Sequence, residues 1–219
     1  MRTRAAFILL VLLLSGSVLG QDPYDFSTLD WELKRDKQGV QIYTATMPDS
    51  KYKAVKSVML APGTVQEYTA LVLDTDSCSQ WAHLCKHSNI EQQISINQSY
   101  VYTYNDLPFP VSDRDVLAKV TWHYDVDNGK VTMSSYATQE IKEPTKAIRI
   151  KHGHSQWHFT PQDDQVLIEG FAHIDPNGAT PAWLTNILLV DSPYKTALAM
   201  KQQIESGKYA KTPVEFMQP

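Results

Sequence analysis

Apolar and polar positions alternate with period two along most of this chain, and give way to a helical period after Gly63 and again after Gly178. Trp31 to Arg35 and Val40 to Met47 flank an Asp36-Lys37-Gln38-Gly39 turn and read as a hairpin. Tyr52 to Leu60 is a further strand, closed by Ala61-Pro62-Gly63. Thr64 is an N-cap with Glu67 placed to complete a capping box, and Val65, Tyr68, Leu71 and Val72 recur at helical spacing. Asp74 to Ser77 interrupts that helix and caps a second helical turn carrying Trp81, Leu84 and Cys85.

Ile90 to Ile174 reads as a long antiparallel meander. Tyr100, Tyr102 and Tyr104 share one face, with Val101 and Thr103 on the other. Val116 to Tyr124 and Val131 to Thr138 join across an Asp127-Asn128-Gly129 turn, and Ile148 to Phe159 pairs with Val166 to Ile174. The alternation slips at Gly153, which predicts a bulge there. Beyond Asp175-Pro176-Asn177-Gly178, one long helix is expected from Ala179 to Ser206, stopped by Gly207 and kinked at Pro193. Its apolar stripe is Trp183, Ile187, Val190, Tyr194, Leu198 and Ile204. Strands, a helical pair, more strands and a last helix make an α+β layout, whose expected packing is a strongly curved antiparallel sheet with the helix across its mouth.

Residues 1–20 stand apart. Arg2 and Arg4 precede an unbroken apolar run from Ala5 to Leu14, and Val18 and Gly20 sit at minus three and minus one of a cleavage site before Gln21. This is a secretory signal pattern, too short for a span of about 20 residues. The expectation is an exported chain, periplasmic or secreted, with 21–219 as a single domain and a monomer. The formal charge of −4, which falls to −6 without Arg2 and Arg4, excludes a bulk electrostatic attraction to nucleic acid. Cys78 and Cys85 invite a disulfide in an oxidising compartment, yet seven steps along one helix rise about 10 Å. A bridge needs the Cα atoms within about 7 Å, so it requires a broken helix; two buried thiols are the alternative.

Several motifs together resemble the START domain of the helix-grip superfamily, from about Trp31 to Ile204. They are Asp36-Lys37-Gln38-Gly39-Val40-Gln41-Ile42-Tyr43, Leu107-Pro108-Phe109-Pro110-Val111-Ser112-Asp113-Arg114-Asp115, and Asp175-Pro176-Asn177-Gly178 followed by Pro181-Ala182-Trp183-Leu184-Thr185-Asn186. Gly153 and Trp157 fit a further spacing of that family. The resemblance implies a sheet wrapped around the long C-terminal helix, with an internal tunnel for one lipid or sterol-like molecule. It also implies no cofactor, transient membrane contact and a helix able to tilt away on its Asp175 to Gly178 hinge. Where some eukaryotic carriers place a second buried arginine, this chain has Ala118-Lys119-Val120, which speaks against a phosphate or carboxylate clamp.

The expected lining is Tyr102, Tyr104, Trp122, Trp157, Phe171, Trp183, Ile187 and Val190, with Asn186 and Arg114 as polar contacts. For Arg114 the favoured reading is structural, pinning its loop through a carboxylate, ahead of the head-group contact. His152 and His154 share a strand face but lack a third zinc ligand, so no metal is expected. Asp175 reads as a turn residue before a general base. The alternative function is a cyclase- or hydrolase-like enzyme on the same fold, with His123, His158 or His173 as acid or base. A ligand-sensing module that engages a protein partner is a third reading. Asn97-Gln98-Ser99 matches a glycosylation sequon.

Overall fold

The computed structural model describes residues 25–48, 50–139, 145–178 and 180–218; the expected leader at 1–20 lies outside the described residues. A 3-10 turn at Phe26–Thr28 precedes β1 (Glu32–Lys37), β2 (Val40–Thr46) and β3 (Lys53–Pro62). Helix α1 (Val65–Leu73) and a 3-10 turn (Thr75–Ser77) lead into α2 (Cys78–Trp81). The meander comprises β4 (Cys85–Ser95), β5 (Gln98–Asn105), β6 (Arg114–Asp125), β7 (Lys130–Thr138), β8 (Ile148–Arg149), β9 (His152–Gln162) and β10 (Gln165–Asp175). The C-terminal helical segment is α3 (Ala182–Asn186), a π-helical turn (Ile187–Asp191) and α4 (Ser192–Glu205).

Local chemistry explains most of these boundaries. Gln38 and Gly39 both take positive φ, 54° and 76°, as a two-residue hairpin turn demands. At the start of α1 the Glu67 N–H donates to Thr64 Oγ1 at 3.2 Å, and the Glu67 carboxylate accepts from the Thr64 N–H at 2.7 Å, so two orphan donors are satisfied. Helix α2 ends at Trp81, and the chain reverses through Leu84 at φ 75° to begin β4 at Cys85. That reversal brings the Cα atoms of Cys78 and Cys85 to 5.9 Å, and the two are joined by a disulfide.

The sheet corrects three expectations. It is an open array, in the order β1-β2-β3-β10-β9-β7-β6-β5-β4, so it is not a strongly curved sheet wrapped around a helix to form a tunnel. Closure would require β1 to pair with β4. Both edges resist pairing: β1 exposes Glu32, Lys34, Asp36 and Lys37 or leaves them partly so, and β4 is broken by three register shifts. Neither is the sheet wholly antiparallel, because β8 pairs in parallel with β6. The Gly153 bulge is also absent; Gly153 pairs with Ile174 in unbroken register, and the interruption falls at 150–151 between β8 and β9.

The C-terminal helix is not a uniform α-helix from Ala179. Pro193 has no N–H for the carbonyl four residues back, and the widened turn just before it absorbs the mismatch. There the Ser192 N–H reaches the Ile187 carbonyl, five residues away. Helix α4 packs against β2, β3, α1 and α2. Tyr68, Leu71, Met200, Ile204, Val131 and Phe159 form the main core beneath it. A smaller cluster of Phe26, Met47 and Ala54, with Trp31 and Phe171, lies apart from that core.

The parallel β6–β8 step is fastened by a buried ion pair. Arg149 Nε donates to Asp115 Oδ1 at 2.7 Å and its Nη2 to Oδ2 at 3.1 Å, while the Tyr102 and Thr145 hydroxyls add bonds of 3.1 and 2.7 Å to Oδ2. Burial pushes the Asp115 carboxyl up, but the hydrogen bond and charge of Arg149, aided by Thr145 and Tyr102, outweigh it and hold the group below its ordinary range. A depressed carboxylate stabilises the fold fully above its unfolded pKa of about 4 and loses that contribution as pH falls through the lower native value. Asp115→Asn should therefore cost about 3–5 kcal/mol near neutrality. It should also flatten the acid side of the stability profile below about pH 4. Urea unfolding across pH checks both; a variant as stable and as acid-sensitive as the parent refutes this account.

Candidate ligand-binding site

One face of the sheet is built from residues too small to fill it. Cross-strand register aligns Ser57, Gly170, Trp157, Met133 and Trp122 in one row. The next row is Val55, Ala172, Ser155, Ser135, Val120 and Ser99. Gly153 with Ile174, and Ala137, Ala118, Val101 and Ile90, continue the pattern. Because side chains alternate across a strand, each of these strands turns its glycine, alanine and serine positions to the same side. Protein interiors are otherwise close-packed, so a stretch of small residues facing a helix layer leaves space.

That space forms two cavities. The larger, about 750 Å³, lies under α3, the π-helical turn and the start of α4, with Leu184, Thr185, Leu188, Leu189, Pro193 and Thr196 in its roof. Lys51, Tyr52, Lys53, His83 and Arg114 lie along it. The smaller, about 330 Å³, is walled by Val72, Leu73, Trp81, the disulfide cysteines and the meander strands. Asn105, Ile150, Ser155, Trp157 and Ile174 border both. Each volume falls in the range of small-molecule sites, roughly 300–1,000 Å³.

The residues expected from sequence divide three ways. Trp122 borders the smaller cavity, Trp157 both, and Arg114 the larger. Phe171 also borders the larger one, but its neighbours Gly170 and Ala172 face the hollow, so its ring points away and stacks 5.5 Å from Phe26. Tyr102, Tyr104, Trp183, Asn186, Ile187 and Val190 border neither cavity. On β5 it is Val101, Thr103 and Asn105 that look inward. Tyr102 reaches Asp115, and Tyr104 donates to Asp113 at 2.6 Å and stacks on His87. That bond, chiefly, pushes the Tyr104 phenol up to about 12. In the C-terminal helical segment Val190, Tyr194, Leu198 and Ile204 of the expected stripe pack on the core, while Leu184, Leu188 and Leu189 roof the cavity. Trp183 is left 44% exposed.

Arg114 anchors its loop, through carbonyls rather than a carboxylate. Its Nε donates to the Pro176 carbonyl at 3.0 Å and Nη2 to that of Asn177 at 3.2 Å, with Nη1 on Ser112 O. The turn it grips is self-supporting: Asp175 Oδ1 accepts from the Asn177 N–H at 2.8 Å, and Asn177 donates to the Arg149 carbonyl at 3.1 Å. Arg114 and Asp115, adjacent in sequence, thus face opposite sides of β6 and fix two different loops. The start of α4 is fastened separately. Arg35 pairs with Asp191 at 2.8 Å and lies over the Tyr194 ring, Tyr194 donates to Gln38, and the His83 N–H donates to Thr196 Oγ1 at 3.0 Å.

None of His123, His158 and His173 borders a cavity. His158 lies beside Phe171, where burial, aided by Lys130, lowers its pKa to about 4; His173 bonds Ser50. His154 is buried with its ring stacked on Tyr136 and Phe26, and His152 is exposed. Among the described residues no three His, Cys, Asp or Glu are grouped to hold a metal ion. Asn97 of the sequon donates its amide to the Trp122 carbonyl at 2.9 Å.

With this geometry in view, a family model assigns the chain and solved structures share its fold. The START domain model matches residues 26–202, and the chain belongs to the START family, whose fold serves ligand binding and transfer. A solved STAR-related lipid transfer protein fragment from Xanthomonas axonopodis has a TM-score of 0.73 at 24% identity, covering 80% of this chain and 98% of that one. Human StAR-related lipid transfer protein 5 has a TM-score of 0.70 at 15% identity, covering 81% and 87%. An uncharacterized protein of Pseudomonas aeruginosa is 28% identical over 177 residues, 80% of this chain and 87% of that protein.

The hollow face makes a sharp prediction. Ala118→Leu adds side-chain volume into the smaller cavity and should change stability by less than about 1 kcal/mol, whereas Ala61→Leu, in the packed core, should cost about 1–3 kcal/mol. Denaturant unfolding of both variants checks this; equal costs would mean that the face is not hollow.

Proposed function

We propose that this protein binds one hydrophobic or amphipathic lipid-like molecule in the paired cavities and carries it without altering it chemically. The observation that carries this reading is the cavity pair itself, opened by small residues on five central strands and lined mainly by apolar groups. Burying some 300 Å² of ligand apolar surface at ~25 cal/mol per Å² offers about 7 kcal/mol before the costs of binding. Carriage rather than chemistry is supported by the likeness to solved lipid transfer proteins; of the histidines, His83 borders the larger cavity and His154 the smaller, the latter with its ring stacked on Tyr136 and Phe26.

The C-terminal helical segment is the proposed gate. It roofs the larger cavity, it is continuous with the Asp175 to Gly178 turn, and its π-helical turn supplies a ready site of bending. Phe109, 96% exposed, and Trp183, on α3, suit a transient contact with a membrane surface, where aromatic side chains are favoured. The leader pattern at 1–20 and the disulfide support a protein working outside the cytoplasm, in the periplasm or after secretion. Charged and irregular sheet edges support a monomer.

Release of a dansyl-labelled fatty acid tests the gate. Arg35→Ala and Asp191→Ala remove a half-buried ion pair worth up to about 1 kcal/mol, so release should quicken by up to about fivefold with uptake retained. Unchanged release from both variants would reject the helix as gate, and failure of the parent to take up any such probe would reject the carrier.

A further inference from the structure

We propose that Trp157 sets the length of aliphatic chain this protein accepts, with a single-tailed amphiphile entering tail first and its chain end lodged in the smaller cavity. The inference rests on the carrier reading above and names the ligand class for the same site.

Charge gives the direction. The larger cavity has Lys51, Lys53 and Arg114 along it, with both lysines exposed, whereas the lining of the smaller includes no Lys, Arg, Asp or Glu among the described residues. Four hydroxyls on the inner wall are engaged with the protein: Ser88 donates to the Tyr102 carbonyl at 2.8 Å and lies 3.0 Å from Thr103 Oγ1, and Ser135 bonds Ser155 at 2.7 Å. A charged head would lose its hydration in the smaller cavity without an ionic partner there, while a methyl-terminated chain loses nothing.

Position gives the selector. Trp157 borders both cavities, and its ring cannot swing aside toward β10. A Cβ at Gly170 would stand 2.7 Å from Trp157 Cζ3 and 2.9 Å from Cη2, so the indole lies directly on the glycine backbone. The ring also runs parallel to Phe159, at 4° and 6.1 Å between centroids. Where the two cavities share Trp157, their border therefore has one fixed wall. Taking a chain carbon as about the size of a water, ~30 Å³, the 330 Å³ cavity accepts about ten of them.

The test is isothermal titration of the full-length mature protein with saturated fatty acids from octanoate to stearate. In the parent, affinity should tighten roughly fourfold for each methylene that gains burial and level off once the inner cavity is full. Trp157→Ala should move that plateau to longer chains, and Trp157→Phe by a smaller step. Gly170→Ala, which presses on the indole, should move it to shorter ones. Circular dichroism confirms the fold of each, and the conservative Phe variant carries the test if the Ala variant does not fold. The same plateau in folded parent and Phe variant overturns the inference alone. Extraction of phosphatidylcholine from vesicles without binding of any fatty acid overturns the single-tail class but keeps the carrier; no binding of either overturns both.

Discussion

A sheet face made of glycine, alanine and serine cannot be filled by helices laid across it, and that shortage of side-chain volume governs the rest of this molecule. Two helices pack closely where β2, β3 and the far ends of β7 and β9 offer Ile42, Met59, Val131 and Phe159. They cannot do so over Gly170, Ala172, Ser155, Ser135 and Ala118, where the side chains stop short. A void of that size costs stability in a protein that does not use it, since lost contacts are not recovered by relaxation. Here it is held open by a rigid frame: ten strands, a disulfide on the wall of the smaller cavity, and two arginines that fix the loops at the mouth.

The frame also explains the family's motif pattern in physical terms. The Arg-Asp step at 114–115 is two anchors pointing in opposite directions. Arg114 satisfies carbonyls of the turn that launches the C-terminal helix, and Asp115 neutralises Arg149 beneath the sheet. Asp175 and Asn177 complete the turn from within. Residues that invited a catalytic or headgroup reading are largely engaged in holding backbone, while the surface that meets a ligand is plain: small side chains, two tryptophans and a roof of leucines.

Much of this was legible in the chain. Period two placed the strands, Thr64 with Glu67 announced α1, and the Gln38-Gly39 turn fixed the first hairpin. Which face of a strand looks inward was not legible, because alternation distinguishes two faces without ranking them. Choosing the aromatic face of Tyr100, Tyr102 and Tyr104 assumed that bulk lines a binding site, whereas a cavity requires its absence. The useful signal was the opposite one, in Gly170-x-Ala172, Gly153-x-Ser155, Ser135-x-Ala137 and Ser57. Of the expected helical stripe, Val190, Tyr194, Leu198 and Ile204 pack on the core, whereas Trp183 and Ile187 do not, because the π-helical turn offsets the segment before it from the 3.6 period that follows. Sheet closure was likewise beyond sequence: β1 and β4 show their lack of pairing only once their strand neighbours are known.

The central claim is that the hollow face holds one apolar molecule. Native mass spectrometry of protein purified gently from its own host, followed by organic extraction, tests it most directly. The account predicts a single adduct at one per chain, released by mild activation and recovered in the organic phase as a lipid-like compound. A bare polypeptide mass that stays bare after incubation with lipids and sterols would contradict it.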